Sequence, residues 1–300
     1  MKVKNLFLSV CAVSLLSGCN KDDDIINDGY ENPDYPAFSL DYKVVEYLPA
    51  PGQYINEKVS GFDNIYSMED ACRQAEKRLS QNSYVSLGAW GGYIVVKFDN
   101  KILNSGKNFD FSIGCNAFDS SSEPGIVWVM QDTNGNGKPD DTWYELKGSY
   151  YDGPGYQKDY LVTYYRPEKK GNTEWIDSEG DSGQVNWVGN YHNQDYYYPN
   201  WVKEDSYTLH GTRLPLQAYQ DPDTGNWTNL PFEWGYADNF GSDFNYGSGR
   251  NYFLISNAID SEGNPVDLPS LDFIKVQTAV NGSAGWLGEN STEVTGFYRN

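Results

Sequence analysis

The sequence predicts an all-β protein: a jelly-roll-like antiparallel β-sandwich with one short helix and long aromatic-rich loops. Three observations lead there. Tyr (25), Trp (9) and Gly (30) are abundant while Met is scarce at 3, and aromatic side chains suit pleated surfaces that glycines punctuate. Short apolar runs recur along the chain, each bounded by clusters of Asn, Asp, Gly or Pro. Sustained helical periodicity occurs once, and one helix among many strands argues for a sandwich over an alternating α/β architecture.

The chain begins MKVKNLFLSVCAVSLLSGC, where two lysines precede an apolar run from Leu6 to Leu16. Residues 1–18 read as a secretory signal peptide, too short for a permanent bilayer span. The run closes on Leu16-Ser17-Gly18-Cys19, which resembles a bacterial lipobox. Cys19 is then the expected site of lipidation, and the lipid the only contact with membrane. Residues 19–37 are acidic and poor in large aliphatics, the composition of a solvated tether. A lysine followed by acidic residues just behind that cysteine resembles the signal that sends Bacteroidetes lipoproteins to the outer face of the outer membrane. A lipid-anchored outer-membrane protein facing the exterior is therefore expected.

Residues 38–300 contain no stretch of linker composition, and one β-sandwich ligand-binding domain is expected there. The formal net charge is −20 and the pI about 4.3. With no basic stripe to offset it, this charge repels a phosphate backbone and excludes nucleic acid as a partner. Of the four cysteines, Cys72 and Cys115 lie within this domain. Their spacing does not decide between a disulfide and two buried thiols.

Strands are expected at 93–98 (YIVVKF), 109–114 (FDFSIG), 125–130 (GIVWVM), 142–148 (TWYELKG), 160–165 (YLVTYY), 251–256 (NYFLIS) and 272–278 (DFIKVQT). The helix is expected in SMEDACRQAEKRL, where Ala71, Ala75 and Leu79 share a face and Ser67 with Asp70 has the spacing of a capping box. The irregular stretch from Gly171 to Gly249 is expected to form loops or a small subsidiary sheet at one end, and loops of that length are usually functional.

The sharpest local motif is QDTNGNGKPDDTWYEL. Asp132, Asn134 and Asn136 stand at alternate positions, Gly137 permits a sharp turn, the Lys138 carbonyl can point inward, and Asp140 and Asp141 follow. Hard oxygen ligands on alternate residues are the front half of a calcium loop of the EF-hand or dockerin type. The twelfth position, normally acidic, is Trp143, and Glu145 falls two places late. Structural calcium is the expected cofactor, with Glu145 as a seventh candidate ligand; an Asx-rich turn without metal is the plainer alternative. The second acidic turn, Asp260 to Asp267, is accounted for by Gly263-Asn264-Pro265.

Catalysis finds little support. There is no nucleophile elbow, no zinc-binding helix motif and no phosphate-cradling loop, and the chain has two histidines. A carboxylate pair is the one remaining route, and abundance of acids is no evidence for it. No enzyme is expected. The stretch YHNQDYYYPNW (191–201) follows neither strand nor helix periodicity, and PFEWGYADNF has the same texture. One reading gathers Trp187, Tyr191, Tyr197, Trp201, Trp234 and Tyr236 into a concave aromatic site oriented by Asn193, Asp195 and Asn239. The other is a satellite core under a long loop.

Five segments, EYLPAPGQYIN (46–56), LGAWGGYIVVKFDNKI (87–102), EPGIVWVMQDTNGNGKPDDTWYELKG (123–148), WGYADNF (234–240) and LDFIKVQTAVNGSAGWLGENSTEV (271–294), together resemble a family of Bacteroidetes cell-surface lipoproteins. The resemblance implies a jelly-roll-like binding module. Because some members are encoded among corrinoid-uptake genes, it also implies capture of a corrinoid (cobalamin) for an outer-membrane transporter. The expected function is thus small-ligand binding at the cell surface. A glycan of a polysaccharide-utilisation system, or a structural or adhesion role, stays open because an aromatic platform edged by amides serves each.

Overall fold

The computed structural model describes residues 40–284 and 288–300. The expected signal peptide (1–18), Cys19 and the tether (19–37) lie outside them. Each strand expected from the sequence is present, 125–130 with the same ends and the others with shifted ones, and the chain is an all-β sandwich. The long strand Ser270–Thr278 sits near the centre, pairing antiparallel with Tyr93–Leu103 on one side and Gly125–Met130 on the other. Tyr42–Leu48 extends the sheet beyond Tyr93–Leu103, while Trp143–Leu146 and Ala258–Ile259 extend it beyond Gly125–Met130.

Strand alternation gives this six-stranded sheet two different faces. The inner face contributes Val44, Ile94, Val96, Val127, Val129, Ile274 and Val276 to the main core. Opposite it stands a four-stranded sheet of Phe244–Asn245, Arg250–Phe253, Phe111–Gly114 and Gly296–Arg299. That sheet supplies Phe111, Ile113, Phe253 and Phe297, with Phe111 and Phe253 stacked at 5.2 Å. Two apolar faces closing on one core make the sandwich.

The helix Met68–Ser80 covers part of the core with Ala71, Cys72, Ala75 and Leu79. Ser67 caps it by accepting from the Asp70 backbone N–H. Asp70 in return takes the Ser67 hydroxyl at 2.7 Å, in place of the backbone donor a full capping box would use. Cys72 and Cys115 are both buried free thiols, and burial pushes the Cys72 thiol up to about 12. Among the described residues no helix is long and apolar enough to cross a membrane.

The stretch from Gly171 to Gly249 contributes mainly to a subsidiary sheet. Its four strands run Ser206–Arg213, Gln157–Tyr165, Thr173–Asp177, Ser182–Val185. This sheet is tied to the end of the central strand: Gln277 Nε2 donates to the carbonyl of His210 at 2.9 Å, and Leu214 N–H to that of Ala279 at 2.8 Å. Trp90, Tyr160, Tyr164, Leu209 and Val185 form its own core.

Candidate functional site

The residues grouped in the sequence as one aromatic site are not brought together. Tyr197, 1% exposed, joins the core of the subsidiary sheet. Trp201, 6% exposed, enters the main core, where its indole N–H donates to the Tyr47 carbonyl at 3.2 Å. Tyr236 belongs to a third cluster with Phe232 and Leu214, and its hydroxyl accepts from the Tyr150 N–H. Trp234 is half-buried and lines a separate cleft beside Tyr252. Trp187 is half-buried under the Lys170 ammonium at 4.7 Å, while Tyr191, Asn193 and Asp195 are exposed. Asn239 is buried and exchanges two hydrogen bonds with the Phe232 backbone.

The physical reason lies in the amides. Gln194 Nε2 donates to the carbonyls of Gln53 and Ile55, and Asn56 Nδ2 to those of Tyr196 and Tyr198. Side chains that looked like ligand contacts instead satisfy backbone groups, which lets an irregular segment be buried. Tyr197, Tyr198 and Trp201 of the 191–201 stretch are core, its first half stays at the surface, and the stretch buttresses the loop 52–57.

In the 132–141 loop the Asx side chains bond back onto the turn's own backbone. Asp132 Oδ2 accepts the Gly137 N–H at 2.9 Å, Asn134 Oδ1 that of Asn136 at 2.9 Å, and Asn136 Oδ1 that of Lys138 at 2.8 Å. Asn134 and Asn136 both donate to Asp140, and these bonds, Asn136 first, hold its carboxyl below the usual range. Asp141 closes the loop onto Thr133. Asp132 Oδ1 is buried with no partner.

Glu145 does not belong to this loop. It lies in the strand Trp143–Leu146, buried, and accepts hydrogen bonds from the Tyr156 hydroxyl at 2.7 Å and from Thr212 Oγ1. Once Trp143 enters the sheet, the pleat carries Glu145 onto the outer face and away from the turn.

There it lines a cleft of ≈ 300 Å³ with Trp128, Trp143, Thr212, Lys158, Asp260 and Lys275. The floor follows from register. Lys275 lies opposite Trp128, Trp128 opposite Glu145, and Glu145 opposite Ile259, a row across four adjacent strands. Residues directly opposite in antiparallel pairs share a face. The His210–Thr212 end of the subsidiary sheet forms a wall. The Lys275 ammonium stands 4.6 Å from the Tyr93 ring centroid and 5.7 Å from that of Trp128. Burial lowers its pKa to about 8, against the attraction of Glu46. Burial also pushes the Glu145 carboxyl up, opposed by its bonds from Thr212 and Tyr156. The indole N–H of Trp128 is buried and has no acceptor.

Two indoles, a carboxylate and an ammonium thus line one concavity, the usual make-up of a small-molecule site. Trp128, Thr212 and Lys275 were not singled out in the sequence. Alternation in GIVWVM and TWYEL does put Trp128, Trp143 and Glu145 on solvent-side positions. What joins them to Lys275, about 130 residues further along, is the sheet register. Compared with known proteins, the chain matches no family model and no curated protein.

Proposed function

We propose that the protein is a non-enzymatic, ligand-binding surface lipoprotein, held at the outer membrane through Cys19, whose ligand seat is the Trp128–Trp143 cleft. The ligand class that the cleft favours is a neutral glycan. The carrying observation is the pair Trp128 and Trp143 beside a carboxylate and an ammonium, with the Trp128 indole N–H left without a partner. A sugar ring offers an apolar face to the indoles and hydroxyls that both accept from a donor and donate to Glu145. The net charge of −20 disfavours a polyanionic glycan. A volume of ≈ 300 Å³ suits a small sugar unit, because ligand pockets start at roughly that size.

The corrinoid reading rests on the five resembling segments, and with it the delivery to an outer-membrane transporter. A corrinoid exceeds this cleft and would rest across its rim. Calcium is proposed for the 132–141 loop, where Asp132, Asn134, Asn136, Asp140 and the Lys138 carbonyl would hold it; the partnerless Asp132 Oδ1 supports the fit. A bound calcium would supply a fixed cross-link within the turn that leads into Trp143.

Calorimetric titration with neutral oligosaccharides and with cobalamin tests the reading. Trp143→Ala should weaken binding at least about tenfold, roughly 1.4 kcal/mol, measured on the folded protein, since the ring also packs on Phe273 and its loss lowers the melting temperature. Undiminished affinity in Trp143→Ala removes the cleft as the seat, and cobalamin binding without glycan binding selects the corrinoid.

A further inference from the structure

On another part of the molecule, the buttressed loop 52–57 walls a second cleft of ≈ 440 Å³ with Tyr54 and Tyr84 at its rim, 44% and 50% exposed. Glu123 and Glu293 line its base, and buried Asp238 behind them completes a trio whose ligand oxygens lie within 4.8 Å of one another. Among the described residues no ion pair reaches any of the three. Their hydrogen-bond donors are neutral. Glu293 accepts from Ser86 and Ser291 hydroxyls, Asp238 from the Glu293 N–H, and Glu123 from the Ser291 N–H. Buried carboxylates so close together repel, and each loses hydration that neutral donors only partly replace. Arg78 lines the same cleft but spends its guanidinium on the Tyr84 and Ser60 carbonyls, so no ion pair neutralises the three acids.

One further observation points to a missing partner, and a second side chain stands ready beside it. Asn229 lines the same cleft, is 7% exposed, and its Oδ1 has no hydrogen-bond partner. The Asn116 amide stands between two of the acids, with one end 3.3 Å from Glu293 Oε2 and the other 3.0 Å from Asp238 Oδ1. Turned so that its Nδ2 donates to Asp238, both ends of the amide are satisfied and its oxygen lies on the Glu293 side.

We propose that Glu123, Asp238 and Glu293, with the amide oxygens of Asn116 and Asn229, form a binding site for a hard divalent cation at the base of this cleft. An all-oxygen set of carboxylates and amides is the donor chemistry of calcium, and it offers nothing for a soft metal. Asp238 is held from the loop that follows Tyr236, Glu123 from the segment before the strand Gly125–Met130, and Glu293 from the short strand Glu293–Val294. A cation there joins three parts of the chain far apart in sequence. Because Glu123, Glu293 and Asn116 all line the cleft, the ion has a path from solvent.

The test uses the purified full chain carrying Asp140→Asn, which removes the proposed loop site and leaves this one. Calorimetric titration with calcium chloride should still show one bound ion, and calcium should raise the melting temperature. Adding Glu293→Gln should abolish both. In chelator the order should invert, with the Glu293→Gln chain melting higher than its parent, because it no longer confines three acids without a counter-charge. A variant that merely misfolds would melt lower in both conditions; Asp238→Asn is then the second probe, with the same inversion expected. Loss of all calcium binding in Asp140→Asn alone overturns this site while supporting the loop. Calcium binding that survives Glu293→Gln and Asp238→Asn together also overturns it.

Discussion

Trp201→Ala separates a core role from a ligand role for the 191–201 stretch. Trp201 is 6% exposed and packs against Tyr47 at 5.7 Å and Phe62 at 5.9 Å between ring centroids. Removing a buried indole loses its transfer energy and leaves a cavity, about 3–5 kcal/mol for Trp→Ala. The bond from its Nε1 to the Tyr47 carbonyl is buried, so part of that loss is an unpaired acceptor, roughly 1 kcal/mol. Trp201→Phe keeps a ring and loses the bond, and should fall between the two. Tyr191→Ala, at a residue 84% exposed, should stay within about 0.5 kcal/mol of wild type. Urea denaturation followed by fluorescence measures all three, with an unchanged slope showing that the unfolded state is the same. A Trp201→Ala protein within about 1 kcal/mol of wild type would refute the placement of this ring in the core.

A buried carboxyl and the 132–141 loop give two other outcomes. Burial pushes the Glu289 carboxyl from 4.5 up to about 7, against two hydrogen bonds from Gln53. A carboxyl whose folded pKa is raised holds its proton more tightly in the folded state, so its contribution is full below pH 4.5 and lost as pH rises through about 7. The shift corresponds to about 3 kcal/mol; urea midpoints between pH 4.5 and 7 should therefore fall more steeply in wild type than in Glu289→Gln, and parallel slopes would reject the assignment. For the 132–141 loop, chelation should lower the melting temperature of the Glu293→Gln chain, whose acidic cleft is disabled, and adding Asp132→Ala should reproduce most of that loss, as expected for a ligand that binds only the folded state. An unchanged melt of the Glu293→Gln chain in excess chelator returns the loop to a metal-free Asx turn.

Strand positions, the helix and the Asx loop were readable along the chain because each depends on neighbours a few residues apart. Val127 and Val129 alternate with Trp128 whatever the rest of the molecule does, and Ser67 reaches Asp70 within one helical turn. Burial of the aromatic stretch was not readable, since the partners that make it affordable to bury irregular backbone, Gln53 and Asn56, lie about 140 residues away. The same holds for Glu145, whose sequence spacing suggested a turn ligand. Its neighbours Thr212 and Lys275 arrive only when separate strands pair, and the pleat then decides which face it takes. The acidic cleft shows the limit most plainly. Glu123, Asp238 and Glu293 are three ordinary acids among 42; only chain closure puts them within 4.8 Å, where Coulomb repulsion and lost hydration, both functions of distance and burial and not of sequence separation, make them a site.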